Sequence, residues 1–302
     1  MDGIVLTPRA FDVAEALEVA QENCLVFVFG APKTGKTHFA LRSGNPRYVA
    51  YLDTLPVLEY AVLKAGTEGY DPKAVEFLKV PPLLGKSYED FTQADAQRIV
   101  QAVEDFAATA RNKARAAKAA GQPVGTFVLD GMTLLKGYYE KAILGESATL
   151  GYRAEKGERG GPSRFAYARS NAALRDFVTQ FAVSPLDVVM TWEGRPKWED
   201  DKPTARYKST RPDLLPYCVN AEVETIKILE PVVERNVQVG ERVIPSLRIH
   251  YSSYDPALDG RVMKARGFTA LKEVFLATLD EAEELLLPQT APVVEVAAGL
   301  GD

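Results

Sequence analysis

The stretch Gly30-Ala31-Pro32-Lys33-Thr34-Gly35-Lys36-Thr37 fits the phosphate-binding loop pattern Gly-x-x-x-x-Gly-Lys-Ser/Thr at every required position. The apolar run before it, residues 24–29, is typical of a buried strand, and residues 38–42 after it can continue as a helix. A strand, a glycine-rich turn and a helix N-terminus together form an anion site, because backbone N–H groups point at the bound phosphates. This stretch therefore predicts a nucleotide site.

The motif assigns a role to most of its residues. Lys36 is expected to reach the β- and γ-phosphates of ATP, and the Thr37 hydroxyl is expected to ligate Mg²⁺. Asp130 follows an apolar run at residues 126–129, which is the Walker B arrangement, and is the second expected Mg²⁺ ligand. The residues predicted to hold ATP are Gly30, Ala31, Pro32, Lys33, Thr34, Gly35, Lys36, Thr37 and His38.

Composition indicates an ordinary globular chain: of 302 residues, 46% are hydrophobic and 25% are charged. No run of about 18 apolar residues is present, and the first residues lack the basic and apolar regions of a signal peptide, so we expect no membrane span and no export. Two cysteines, Cys24 and Cys218, favour a reduced, cytoplasmic setting. A net charge of −5 argues against a uniformly basic surface but permits a local basic channel.

The order of patterns predicts the fold class. Apolar runs near residues 47–52, 75–80, 125–130 and 186–191 read as strands, and helical patterns separate most of them, including those at 7–22, 54–65, 88–120 and 268–286. Residues 222–229 and 242–251 alternate as an antiparallel hairpin with a turn near Gly240, whereas residues 194–216 show no period and read as a loop. We predict one α/β domain over residues 1–287, with a helical lead-in at 1–22 and a mobile tail at 288–302.

Such a domain has a mostly parallel sheet, helices on both faces and a C-terminal antiparallel hairpin. Ligands bind at the carboxyl ends of its parallel strands. The phosphate loop, Asp53, Asp130 and Thr191 all fall at such ends.

The sequence around Asp130 resembles the RecA-like class of P-loop ATPases. Gly131 stands where many AAA+ ATPases carry a catalytic glutamate, whereas RecA-like proteins take that glutamate from the end of a neighbouring strand. Leu55 occupies that position here, which leaves Asp53 or Glu59 as candidates to orient the attacking water; a solvated helix acid is the other interpretation of Glu59. The resemblance also implies a γ-phosphate sensor after the next strand, at Thr191 or at Glu193.

Residues 262–267 contain Lys264 and Arg266 and resemble the Lys-x-Arg element of KaiC, RadA and DnaB-like ring ATPases. In those proteins the two cations reach across a subunit interface to the neighbour's γ-phosphate, where a cation stabilises the charge that develops during phosphoryl transfer. The alternative is two solvated cations in a turn.

Two locally basic segments, residues 145–175 and 194–211, combine cations with aromatic residues. Cations follow phosphates and rings stack on bases, so this composition suits single-stranded DNA, although charged loops can also simply be solvated. The predicted DNA-binding residues are Arg153, Lys156, Arg159, Arg164, Arg195, Lys197, Trp198, Arg206, Lys208 and Arg211.

Taken in order, these features resemble the phage-encoded RecA-like P-loop ATPases of the single-strand annealing and recombination group. The resemblance implies ATP- and Mg²⁺-dependent assembly on single-stranded DNA as a homo-oligomeric ring or filament in the host cytoplasm, with a single-stranded DNA-binding protein as a further partner. Three alternatives use the same loop: a hexameric DNA motor or helicase core, a small-molecule kinase, and a nucleotide-gated interaction module with weak hydrolysis.

Overall fold

The computed structural model describes residues 23–44, 47–52, 74–79, 91–145, 164–199, 202–212, 215–234, 237–264, 267–277 and 279–287. The helices predicted at 7–22 and 54–65 and the predicted tail at 288–302 lie outside the described residues. The strands are β1 (Leu25–Gly30), β2 (Arg47–Tyr51), β3 (Val75–Lys79), β4 (Thr126–Asp130), β5 (Asp187–Thr191), β6 (Gly194–Glu199), β7 (Lys202–Ser209), β8 (Ala221–Glu234), β9 (Val237–Ser252) and β10 (Val262–Lys264). The α-helices are α1 (Lys36–Leu41), α2 (Gln93–Ala119), α3 (Met132–Leu144), α4 (Arg164–Ala182), α5 (Phe268–Leu276) and α6 (Leu279–Glu283).

Eight strands form one sheet in the order β10-β9-β8-β1-β5-β4-β2-β3. The strands from β8 to β3 in that order run parallel to one another, and β9 and β10 add antiparallel pairs at one side. β5 lies between β1, which leads into the phosphate loop, and β4, which ends at Asp130. The predicted α/β architecture, a mostly parallel sheet with helices on both faces and a C-terminal antiparallel hairpin, is confirmed.

Each face of the sheet carries its own hydrophobic core. Leu25, Phe27 and Phe29 of β1 face the core that α2, α3 and α4 cover, while Val26 and Val28 face the core that α1 and α5 cover. This alternation follows from the two-residue period of a strand, and burial of both faces explains why β1 reads as one continuous apolar run. The two cores hold the carboxyl edge of the sheet in a fixed position.

Residues 194–216, predicted as a loop, instead contain a two-stranded antiparallel hairpin formed by β6 and β7. Its register shifts between Pro196 and Trp198. Hydrogen bonds between the backbones of the two strands form this hairpin. Because the bulge interrupts the alternation of side chains between its two faces, the sequence shows no clean two-residue period. That is why the sequence pattern did not reveal it.

Several element boundaries also differ from the predictions. β8 and β9 are longer than expected, Gly240 pairs with Val232 inside the ladder, and the two strands are joined through residues 235–236. The expected helix at 268–286 is divided into α5 and α6. α2 begins only at Gln93, because Thr92 and Asp95 form a reciprocal capping box.

Within the described part of the chain, no helix is long and apolar enough to span a membrane.

Candidate nucleotide-binding site

The phosphate loop leaves β1 at Gly30 and enters α1 at Lys36. Gly30, Lys33 and Gly35 all have positive φ (154°, 62° and 97°), which suits the two glycines and leaves Lys33 in a conformation that L-residues adopt less often. A Cβ atom at Gly30 would lie 2.6 Å from the Thr225 carbonyl oxygen, so this position requires glycine on space as well. The loop thus has the turn geometry that its motif predicts.

A threonine on β8 supports this loop. The Thr34 hydroxyl donates to the Ala31 carbonyl oxygen at 2.8 Å and lies 2.6 Å from the Thr225 hydroxyl. Thr225 also donates to the Phe29 carbonyl oxygen at 3.2 Å. Sequence reasoning missed Thr225, because it is 191 residues from Thr34 and lies inside an alternating strand pattern.

The Lys36 side chain folds back over the loop. Its Nζ donates to the carbonyl oxygens of Gly30 at 3.0 Å and Ala31 at 2.9 Å. Burial lowers the pKa of Lys36, and the nearby charges of Asp130 and Glu193 act in the opposite direction. A desolvated ammonium held by two loop carbonyl oxygens is suited to bind phosphate oxygens, because a bound anion stabilises its charged form.

Asp130 and two threonines meet beside the loop. The Thr37 hydroxyl donates to Asp130 Oδ2 at 2.5 Å, and the Thr191 hydroxyl donates to Asp130 Oδ1. Thr191 in turn accepts a hydrogen bond from the backbone N–H of Gly131 at 3.0 Å. A carboxylate and a hydroxyl at contact distance are the oxygen ligands that Mg²⁺ prefers, so Thr37 and Asp130 fit a metal site. Thr191, which we predicted to sense the γ-phosphate, orients the Asp130 carboxylate in this structure.

Glu193 connects the site to the β6–β7 hairpin. Its backbone N–H donates to the Thr133 hydroxyl at 2.9 Å, and its carbonyl oxygen accepts the Thr210 N–H at 3.1 Å. The next residue, Gly194, packs on the phosphate loop so closely that a Cβ atom there would lie 2.8 Å from the Gly30 carbonyl carbon. The hairpin therefore begins in direct contact with the nucleotide loop.

Lys264 lies on β10 at the edge of the sheet and forms an ion pair with Glu230. The strand register aligns Gly30 with Thr225, Leu247 and Met263 across the sheet. Lys264 therefore lies at nearly the same height along the strands as the loop. β10 is three strands from β1, so the two backbones are about 14 Å apart. That distance is too long for Lys264 to contact phosphates bound at its own loop. Arg266, Asp53 and Glu59 lie outside the described residues.

The predicted DNA-binding residues separate into three groups. Arg195, Lys197 and Lys208 are exposed on the β6–β7 hairpin, and Arg195 and Lys208 are paired directly across its two strands. Arg211 instead forms a bidentate ion pair with Glu222, which is buried on β8. The structure places the backbones of Trp198, Arg206 and Arg164 on β6, β7 and α4, respectively, while Arg153, Lys156 and Arg159 lie outside the described residues.

A polar cluster beside β1 was also missed from the sequence. Glu224 on β8 is 2% exposed, and its Oε2 lies 2.8 Å from His250 Nε2 and 3.3 Å from Arg248 Nη1. The His250 ring packs on Phe29, the residue before the loop, at a centroid distance of 5.0 Å. The acids at positions 222 and 224, two residues apart on a strand, were the available signal that one face of β8 is polar.

Comparison with known proteins finds similar solved structures. No protein-family model matches the chain, and no curated protein matches it. A solved structure similar to this chain is that of a KaiC-like protein from the hyperthermophilic archaeon Pyrococcus horikoshii OT3, with 13% identity and a TM-score of 0.36 over 76% of this chain and 80% of that one. The assignment of the site therefore rests on its own residues, whose geometry is that of a P-loop nucleotide site.

Proposed function

We propose that this protein is an ATP- and Mg²⁺-dependent ATPase that assembles on single-stranded DNA and promotes strand annealing or recombination. One observation carries the proposal: Lys36, Thr37 and Asp130 converge at one edge of the sheet, and a basic hairpin begins in contact with the same loop. A nucleotide bound at the loop would therefore lie beside Gly194, where the hairpin begins.

The chain's own residues supply the binding chemistry. The loop N–H groups and the Lys36 ammonium bind the phosphate oxygens and stabilise charge that develops on them. Thr191 holds the Asp130 carboxylate in one orientation, and Gly131 holds Thr191. Thr37 and Asp130 would hold Mg²⁺, which would supply positive charge beside the phosphates.

Cation placement on the β6–β7 hairpin supports DNA as the partner. Arg195 and Lys208 are paired across the strands, and like charges in directly opposed positions destabilise a two-stranded ladder. A bound phosphate backbone would place anions beside both cations. Tyr207, by contrast, packs against the hydrophobic core, so the hairpin has one face toward the core.

We also infer that the protein functions as a homo-oligomer with ATP at subunit interfaces. Lys264 lies near the level of the loop on the far edge of the sheet, where a neighbouring subunit's nucleotide, rather than its own, would be within reach. Together with Arg266 it would supply cations in trans. A single-stranded DNA-binding protein is a further proposed partner, on the family resemblance alone.

ATP hydrolysis with and without single-stranded DNA, at low and moderate salt, tests this function. We expect a several-fold stimulation that decreases with salt, because phosphate contacts release counterions. Replacing Arg195 and Lys208 together with alanine should remove the stimulation, whereas replacing Arg98 and Arg115, two exposed cations on α2, should preserve it. Hydrolysis that DNA never stimulates would contradict the DNA function and favour a metabolite kinase.

The trans role of the cations has a separate test. Arg266→Ala should lose hydrolysis while ATP binding is kept. Mixing it with Lys36→Ala subunits should restore hydrolysis, because an intact Lys36 site would then face an intact Arg266. No recovery at any mixing ratio would contradict the interface assignment.

Annealing and unwinding are distinguished by the substrate. Annealing of complementary strands in the presence of ATP is the expected activity. Directional unwinding of a forked duplex would instead identify a hexameric DNA motor, which uses the same site.

A further inference from the structure

We propose that Glu193 is the catalytic carboxylate of this site, which orients the attacking water and accepts its proton. The proposal rests on the ATPase function proposed above. It assigns to a residue after β5 the role that the family resemblance placed on the other side of Asp130, near residue 55.

The order of the strands puts Glu193 at the right edge of the sheet. β5 lies between β1 and β4, and its last residue, Thr191, pairs with Val28 on one side and Asp130 on the other. Glu193 follows two residues later, on the same edge and between the phosphate loop and the metal-binding acid. Gly194, the next residue, packs on Gly30, whose carbonyl oxygen accepts a hydrogen bond from Lys36, so Glu193 lies beside the loop that would bind the phosphates.

The backbone that carries Glu193 is fixed on both sides. Trp192, which is 1% exposed, donates its backbone N–H to the Val28 carbonyl oxygen at 2.7 Å. Thr133 accepts the Glu193 N–H at 2.9 Å, the Thr210 hydroxyl donates to the Glu193 carbonyl oxygen at 3.1 Å, and Gly194 packs on Gly30. The Glu193 residue itself is exposed, so its carboxylate can contact solvent while its backbone is held in place.

The other described acids near the loop already have structural partners. Asp130 accepts hydrogen bonds from Thr37 and Thr191. Glu222 binds Arg211, and Glu224 binds Arg248 and His250. Asp130 belongs to the proposed metal site, which leaves Glu193, among these described acids, to contact the attacking water.

The step balances as a hydrolysis. The water oxygen forms a bond to the γ-phosphorus, and Glu193 accepts one proton from that water. The bond between the γ-phosphorus and the bridging oxygen breaks, and its electron pair stays on ADP. Glu193 then returns the proton to the phosphate products, which leaves the enzyme unchanged.

Glu193→Gln tests the proposal, with Glu273→Gln on the exposed surface of α5 as the matched control. We expect Glu193→Gln to lower DNA-stimulated hydrolysis by about 100-fold or more, within the range typical of a lost general base. Binding of a non-hydrolysable ATP analogue should be kept or become several-fold tighter while ADP binding is unchanged, because a carboxylate facing the γ-phosphate repels it. Glu273→Gln should match the wild type in all three measurements.

Chemical rescue provides a second readout. Glu193→Ala should recover part of its hydrolysis when formate is added, since formate can occupy the space of the missing carboxylate, and a merely structural loss would not respond. If the wild type hydrolyses ATP and the rate of Glu193→Gln lies within about threefold of the wild-type rate, the inference is overturned. The proposed ATPase function would then remain intact. Loss of analogue binding in Glu193→Gln would also overturn it, whereas a wild type that binds ATP without hydrolysing it would overturn the proposed function itself.

Discussion

Two aspartates, the buried Asp130 and the half-buried Asp187, lie at opposite ends of the neighbouring strands β4 and β5. Asp187 accepts the Cys24 N–H at 2.9 Å and forms an ion pair with Lys272 at 2.8 Å. Asp130 accepts hydrogen bonds from the hydroxyls of Thr37 and Thr191. An ammonium partner neutralises the charge of a carboxylate. A neutral hydroxyl donates a hydrogen bond but leaves the charge, so the carboxylate can also bind a metal ion. The same residue type therefore has a structural partner at one end of the sheet and lies in the proposed metal site at the other.

Of the changes that test this difference between the two ends of the sheet, Lys36→Ala is expected to have the largest effect, a loss of ATP affinity. The change removes the ammonium at the mouth of the loop and should weaken ATP binding by about 100-fold or more, or ~2.7 kcal/mol. Titration calorimetry measures the affinity. Lys272→Ala, at the other end of the sheet, should bind ATP as the wild type does, and equal losses in both variants would remove the functional difference between the two ends.

Exchanging each aspartate for asparagine compares the two ends directly. Asp130→Asn should lower Mg²⁺-dependent hydrolysis by about 100-fold, because an amide oxygen is a weaker metal ligand than a carboxylate, while thermal stability changes little. Asp187→Asn should lower the melting temperature and leave hydrolysis per folded molecule unchanged. Steady-state rates over a range of Mg²⁺ concentrations, combined with thermal unfolding, distinguish these outcomes.

The Asp187–Lys272 pair predicts a pH-dependent loss of stability. Burial raises the pKa of Asp187, and Lys272 opposes that rise, so Lys272→Met should raise the folded-state pKa further. At a pH below the ordinary value of 3.8 the acid is protonated in both states, and the substitution should cost little. As pH rises through the raised pKa, the folded state must carry a half-buried anion without its partner, and about 1–3 kcal/mol of unfolding free energy should be lost.

Denaturant unfolding of wild type and Lys272→Met at acidic and neutral pH measures that difference. Comparing the two proteins at each pH cancels the titration of other groups. A difference that is independent of pH would show that Lys272 acts through packing rather than charge.

The smallest effect is expected from Gly194→Ala, which tests the contact between the hairpin and the loop. The added Cβ would lie 2.9 Å from the Gly30 carbonyl oxygen, so the backbone must shift at a cost of about 1–2 kcal/mol, with ATP affinity several-fold lower. Gly240→Ala, where nothing lies within 4 Å of the added atom, is the matched control. Unchanged affinity in Gly194→Ala would separate the hairpin from the nucleotide site.

Much of the site could be predicted from the sequence because its residues sit in short local patterns. The loop of residues 30–37 and the strand that ends at Asp130 each combine an apolar run with a change to turn residues, and the structure brings them together. Thr225, by contrast, supports the loop from 191 residues away in the chain, and an alternating strand gives no indication of its neighbour. The β6–β7 hairpin was missed because its bulge breaks the two-residue period.

The sequence by itself determined the turn geometry of the Gly30–Thr37 loop, the strand that ends at Asp130, the alternation of strands and helices, and therefore the class of fold. Only the tertiary structure decided which strand lies between β1 and β4, that Thr191 binds Asp130, that Arg211 binds Glu222, and that Glu193 lies beside the phosphate loop. The physical reason is the range of the interactions. Backbone conformation and apolar periodicity depend on residues that are neighbours in the sequence, whereas the partner of a polar side chain depends on how distant strands align.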